Sequence, residues 1–348
     1  MDGADDLAAV YALQVRVPCP TIHPDLLLFE PSRSDRSGAC PLRARKRRRR
    51  DDQAKLLDED GANVVRSLPV GNPPVDFDAF DAFEAVSWEE KAAAYERFFG
   101  VIAGRMVEPL LAAASVGVGT RVLDVATGPG WVAAQAAERG ASVVGVDVAE
   151  AMIARARSAH PQLDFRRADA HELPFADASF DAVVGNFAIM HLSRPDRAVA
   201  QCARVLRPGG KLALTTWAQP SEHRLVGVFL DAVAHARATP PAGLPPGPDF
   251  FRFSDDEEFA AVLRQQDLAS PVVTGITFMH RFVTTDELWH GMLGATVRAS
   301  ALITRQPQDV QQRIRAAFDR LAGGYRRGDV LEMPVAVKLA TARKPDPR

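Results

Sequence analysis

At 348 residues, with 47% hydrophobic and 25% charged side chains, the chain is long enough for one core of roughly 250 residues plus additional segments. A formal net charge of −2 supplies no overall basic field for nucleic acid and points to a small partner. There is no apolar run of about 18 residues, the first residues are acidic, and Cys19, Cys40 and Cys202 are too scattered for a disulfide framework or a metal site. The expectation is a soluble cytoplasmic protein that spans no membrane and holds no metal.

Residues 1 to 75 lack sustained periodicity and carry the run Arg43-Ala-Arg-Lys-Arg-Arg-Arg-Arg50 followed by Asp51-Asp52, which reads as a disordered extension with a solvated basic stretch. Order is expected over 76–348. Ser87-Trp-Glu-Glu90 has the capping-box spacing and opens a helical pattern through Tyr95, Phe98 and Phe99, and a second apolar helix is expected over 101–114. These form N-terminal cap helices, 87–117.

From Thr120 short β-rich runs alternate with helical ones. The strands are 121–125, 142–147, 163–165, 180–184 and 211–216, and the helices begin at Trp131, Glu150 and Pro195. Such alternation predicts parallel strands with helical crossovers on both faces. Gly140, Ser193-Arg-Pro-Asp196 and Arg207-Pro-Gly-Gly210 punctuate the boundaries. After Trp217 the pattern gives a helix over 224–237, a Pro/Gly loop at 239–249, a capped helix from Ser254, a strand over 271–279, helices from Asp286 to about Ala322 and a last strand near 335–340. The fold class is α/β, a Rossmann-like seven-stranded, mostly parallel sheet with a helical lid inserted before the last strand.

Asp124-Val-Ala-Thr-Gly-Pro-Gly130 falls where the first strand gives way to a helix. Glycines there permit a tight turn and close approach of a ligand to the backbone, and the helix offers free N–H groups. Gly128-x-Gly130-x-x-Ala133 also satisfies a dinucleotide fingerprint, so the turn alone leaves the ligand open. Asp147 ends the second strand at about the 20-residue distance from which a carboxylate accepts from adenosine ribose hydroxyls. Met152, one turn into the next helix, is placed to cover an adenine face.

Five motifs then follow in order over 120–217: Val122-Leu-Asp-Val-Ala-Thr-Gly-Pro-Gly130, Val144-Gly-Val-Asp147, Ala168-Asp-Ala-His-Glu-Leu-Pro-Phe175, Ser179-Phe-Asp-Ala-Val-Val184 with Asn186-Phe-Ala-Ile-Met-His-Leu192, and Val205-Leu-Arg-Pro-Gly-Gly-Lys211. This stretch, nearly a third of the chain, resembles the class I S-adenosylmethionine-dependent methyltransferases of the ubiquinone and menaquinone C-methyltransferase type. The resemblance implies S-adenosylmethionine as cofactor. It places Asp124 beside the methionine part, Ala126, Thr127, Gly128 and Gly130 in the cofactor-binding turn, Asp147 on the ribose, Asp169 and Ala170 at the adenine edge, and Asn186 near the sulfonium and the substrate. Asn186-Phe-Ala-Ile189 lacks the Asn/Asp-Pro-Pro-aromatic tetrad of adenine and cytosine amino-methyltransferases, and nucleic-acid substrates drop in rank.

Methyl transfer then asks the protein to align a nucleophile with the S–CH3 bond and exclude water. Where the acceptor is a hydroxyl or an acidic carbon, a base must take a proton, and His191, just past the fourth strand, is the candidate. Trp88 and Tyr95 are candidates to shield the site, and His280 and His290 to line an acceptor pocket. Within 218–348, the segment 283–323 forms the lid, where Trp289, Met292, Leu293, Val297 and Leu302 make an apolar wall suited to an aromatic, polyketide-like or prenylated small molecule. Two rivals remain. A nicotinamide-dependent oxidoreductase shares the glycines and Asp147 but does not require Asp124 or the 168–175 motif, and a non-catalytic protein could retain the cofactor fold.

Overall fold

The computed structural model describes residues 75–346. The chain divides into two units, Met1–Val64 and Val65–Arg348, and the described residues belong to the second. The proposed extension and its basic run at 43–50 lie outside them.

In chain order the helices are α1 (Phe77–Gly104), α2 (Val107–Ala113), α3 (Trp131–Glu138), α4 (Glu150–Ala159), α5 (Pro195–Val205), α6 (Arg224–His235), α7 (Asp256–Arg264), α8 (Thr285–Ala295), α9 (Arg298–Thr304) and α10 (Gln308–Gly323). The strands are β1 (Arg121–Val125), β2 (Ser142–Asp147), β3 (Asp164–Arg167), β4 (Phe180–Gly185), β5 (Leu206–Trp217), β6 (Ala269–Phe282), β7 (Arg326–Arg327) and β8 (Val330–Arg343). The sheet order is β3-β2-β1-β4-β5-β8-β6. β3 through β5 are parallel, while β8 runs antiparallel to both β5 and β6.

The sheet has eight strands where the sequence pattern gives seven. The added β7 is two residues long and pairs only with the start of β8, Arg326 with Leu331 and Arg327 with Val330, across a turn at Gly328. Two exposed arginines carry no hydrophobic alternation, which is the signal a strand is read from.

Period-two alternation sorts the sheet's two faces. Val122, Val143, Ala182 and Val184 pack with α2, α3 and α4, whereas Leu123, Val125, Val183, Leu212 and Leu214 pack with α5 and α7. A third cluster joins α1, α6, α8 and α10 to the first half of β8 through Phe99, Phe229, Trp289, Phe318, Met333 and Val335. The chain winds outward from β1 to β3 and then returns to β4. The order therefore reverses between β1 and β4, and open α/β sheets place a ligand crevice at the carboxyl ends of strands at such a switch.

Three expected helix starts are corrected. Ser87 lies inside α1, which begins ten residues earlier with Asp76 as N-cap, its side chain accepting from the Ala79 N–H at 3.0 Å. Ser-x-x-Glu spacing cannot distinguish a cap from a helix interior, and burial of Phe80 and Glu84 carries the helix upstream. The chain then breaks at Arg105-Met106, so the second helix starts at Val107 rather than 101. Likewise α7 is capped by Asp255, which accepts from the N–H groups of Glu257 and Glu258. Ser254 instead bonds the Phe251 carbonyl.

Candidate active site

The turn after β1 is built by backbone geometry first. Ala126 (φ 54°), Gly128 (φ 55°) and Gly130 (φ 89°) adopt left-handed conformations in succession. The Thr127 N–H donates to the Val146 carbonyl at 2.9 Å, fastening the turn to the neighbouring strand. At Gly130 a Cβ would stand 2.8 Å from Phe165 Cζ, so close packing and backbone conformation both demand glycine. A non-glycine residue such as Ala126 held at positive φ stores strain that the surrounding bonds must offset, a pattern common at ligand clamps.

Asp124 and Asp147 hold this turn from below. Thr127 Oγ1 donates to Asp124 Oδ2 at 2.6 Å, and the Gly128 N–H donates to Asp147 Oδ2 at 2.9 Å while the Ala149 N–H donates to Oδ1 at 3.0 Å. Asp124 is 1% exposed, and burial pushes its carboxyl up to about 7. Its Oδ1 is buried with no hydrogen-bond partner. Burial also raises the Asp147 carboxyl above the usual carboxylate range, against the backbone bonds that lower it.

Above the strand ends lies a cavity of about 440 Å³. Its first half is lined by Ala126, Gly128, Asp147, Met152, Asp169 and Ala170, and Asn186 also lines the cavity. Asp124 and Thr127 open instead into a small adjoining recess shared with Tyr95, Gly128, Trp131 and Asn186. Asp169 Oδ1 accepts from both the backbone N–H and the ring Nδ1 of His171 at 2.8 Å, which holds its carboxyl below the ordinary range. Oδ2 of Asp169 is bonded to no described residue. Asn186 is fixed between three elements: its Oδ1 accepts from Thr215 Oγ1 on β5 at 2.7 Å and its Nδ2 donates to the Ala103 carbonyl of α1 at 3.2 Å.

The second half of the cavity is mostly apolar. Trp88, Tyr95 and Phe99 come from α1, Phe187 and Trp217 from the ends of β4 and β5, and Leu244, Phe250 and Phe251 from the Pro/Gly loop. Met292, Val297 and Leu302 of the expected wall also line it. Trp289 does not, because it turns away to pack on Phe229 and Phe318, and Leu293 packs at the periphery of that same cluster. His280 and His290 are corrections too. His280 sits on β6 opposite Met333 with its ring against Phe282, and His290 is exposed on α8. His191 does line the cavity, on the short 3-10 turn Ile189–His191.

The residues that the linear pattern misses are Asp81 and Glu84, which precede the expected helix start, Arg298, and the loop aromatics Phe250 and Phe251. A helical projection extended back from Tyr95 puts Glu84, Trp88 and Tyr95 on one face at i, i+4 and i+11. That is the signal that could have found Glu84.

Residues 123–214, from β1 to β5, match the family model described as a methyltransferase domain. The glycine turn, the acidic residues at the ends of β1 and β2 and the reversal of strand order all fall within or beside this matched methyltransferase stretch. The chain is similar to the demethylmenaquinone methyltransferase of Renibacterium salmoninarum, 41% identical over 103 residues, 30% of this chain and 44% of that protein. It is also 35% identical over 141 residues to an uncharacterized protein of Mycobacterium tuberculosis, covering 39% of this chain and 50% of that one. The chain thus spans about half the length of the curated relatives it matches. Among solved structures, phosphoethanolamine N-methyltransferase 2 of Haemonchus contortus has a TM-score of 0.48 at 20% identity over 77% of this chain and 60% of that one. A putative methyltransferase from Bacillus halodurans has a TM-score of 0.44 at 24% identity over 69% and 99%.

The residues present fit S-adenosylmethionine. The unpartnered Asp124 Oδ1 beside the glycine turn suits an ammonium group, since a buried carboxylate oxygen without a donor is costly. No atom lies within 4 Å of where a Gly128 Cβ would stand, leaving its backbone open to a close ligand. Each Asp147 oxygen accepts one backbone bond and retains a lone pair for a hydroxyl.

Proposed function

We propose that this protein transfers a methyl group from S-adenosylmethionine to an oxygen or carbon atom of a small, largely apolar acceptor such as a quinone or polyketide-like metabolite. The observation that carries this reading is the continuity of one cavity, polar at Asp147 and Asp169 and apolar under α1, the 239–251 loop and α8–α9. Bound there, the cofactor supplies an activated methyl on a sulfonium. Asp124 and the residues of the turn hold its amino-acid end, Asp147 its ribose, and Asp169, Ala170 and Met152 its adenine. Asn186 is pre-positioned between the two halves by its bonds to Thr215 and Ala103.

His191 takes the acceptor's proton where one must leave. Its Nδ1 lies 3.2 Å from Glu84 Oε2, and its Nε2 bonds to no described residue. In this reading 76–348 is the methyltransferase unit and 218–348 its acceptor-selecting part, acting in the cytoplasm. No helix among the described residues is long and apolar enough to cross a membrane. The concave, mostly apolar chamber favours a small molecule over a nucleic acid.

Isothermal titration with S-adenosylhomocysteine and, in parallel, with NADH tests the cofactor. Binding of the first alone is expected, and binding of NADH alone would return the oxidoreductase reading. Transfer of labelled methyl to members of a small-molecule panel is expected next. Cofactor binding without turnover on any acceptor would favour a non-catalytic protein.

A further inference from the structure

We infer that Glu84 is a positioning residue for His191, and that the pair commits the site to acceptors bearing a hydroxyl on an aromatic or enolic ring. This rests on the methyltransferase reading and narrows it. Glu84 is 5% exposed, in the middle of α1, and lines the cavity. Its Oε2 receives the Trp88 indole N–H at 3.1 Å and faces His191 Nδ1 at 3.2 Å. A carboxylate only accepts, so the nitrogen facing it carries the proton, and the lone pair of His191 is on Nε2, across the ring. Two rings hold the imidazole edge-on, Trp88 at 5.1 Å and Phe250 at 5.5 Å.

The second oxygen of Glu84, Oε1, is buried without a partner. An under-satisfied buried carboxylate gains most from a positive charge beside it, and that charge forms when His191 accepts a proton. The other charged groups at this end include Asp78 and Asp81 from α1, Arg194 before α5, which pairs with them at 2.6 and 3.2 Å, and Arg298 from α9. Burial of the Arg298 guanidinium disfavours its charge while Glu84 supports it. Asp78 and Asp81 pair with Arg194, and Arg298 lines the same end as Glu84. This end offers an imidazole nitrogen amid Trp88, Phe250 and Leu244, which suits a neutral ring carrying an O–H.

In the reaction the acceptor's O–H bond breaks and its proton goes to His191 Nε2. The oxygen's electron pair forms the new O–CH3 bond, and the pair of the broken S–CH3 bond stays on sulfur as the neutral thioether. Glu84 stabilises the imidazolium, which then returns its proton to solvent.

The test uses the full chain, Glu84→Gln, His191→Asn, and a panel of bicyclic aromatic hydroxyls, 1-naphthol and 4-nitro-1-naphthol among them, with the matching amines. Wild type is expected to methylate hydroxyls and not amines. Glu84→Gln should keep S-adenosylhomocysteine affinity within twofold, which also reports a folded site, and lower kcat about tenfold to hundredfold with little change in KM. Its kcat–pH profile should differ from that of wild type, because the proton acceptor loses the anion beside it. The more acidic nitro compound should lose less rate than 1-naphthol in both variants. An unchanged pH profile in Glu84→Gln would refute the positioning role, and methylation of amines alone, or of neither class, would refute the acceptor class. Failure of wild type to bind S-adenosylhomocysteine would instead overturn the methyltransferase reading beneath it.

Discussion

Replacing Asp147 with alanine removes the one side chain that joins the glycine turn, the end of β2 and the start of α4. In the folded protein the substitution strands two buried donors, the N–H groups of Gly128 and Ala149, which now bond the carboxylate at 2.9 and 3.0 Å. Each unsatisfied buried donor costs about 1–3 kcal/mol. Part of this is offset because a carboxylate whose charge is disfavoured by burial is also removed. A net loss of about 1–3 kcal/mol of unfolding free energy is expected. For the cofactor, charge-assisted hydrogen bonds to the ribose are worth about 1.5–3 kcal/mol, so affinity should fall roughly tenfold to a hundredfold. Asp147→Asn, which keeps the shape and one acceptor oxygen, should fall between wild type and alanine in both measures. Calorimetric titration with S-adenosylhomocysteine and urea unfolding measure the two effects separately. Affinity unchanged in Asp147→Ala, with stability lowered, would mean that the carboxylate serves the fold alone and that the ribose assignment is wrong.

Asp124, raised by burial from an ordinary 3.8 to about 7, binds a proton more tightly in the folded chain than in the unfolded one. Its contribution to stability is therefore fully present below about pH 4 and is lost as pH rises through about 7, a change on the order of a few kcal/mol. Urea unfolding at pH 5 and pH 8 should show this difference shrink in Asp124→Asn, and an identical pH dependence in the two proteins would exclude the assignment. Gly130→Ala places a Cβ 2.8 Å from Phe165 at φ 89° and should lower unfolding free energy by about 1–3 kcal/mol, with partial recovery in the Gly130→Ala, Phe165→Leu double variant, measured by thermal melts. Leu302→Trp fills the apolar half of the cavity and should raise the acceptor KM severalfold while S-adenosylhomocysteine affinity stays constant. Equal loss of both would argue against separate acceptor and cofactor halves.

Local sequence carried the half of the site proposed for the cofactor because its chemistry is local. Val122 to Gly130 is a strand, a turn and a helix start whose residues must be contiguous, and Asp147 and Asp169 each end or follow a strand that alternation already announces. Backbone conformation at Gly130 and burial at Leu123 or Val183 follow from neighbours a few residues away. The half proposed for the acceptor obeys no such period. Glu84 meets His191 across 107 residues, Lys91 bonds the Leu293 carbonyl and Ser300 across about 200, and Trp289 turns out of the cavity while Met292, three residues later on the same helix, turns in. An amphipathic stripe states that one face is covered, and only the packing of α1, α8 and α9 over the sheet determines whether protein or an enclosed chamber covers it.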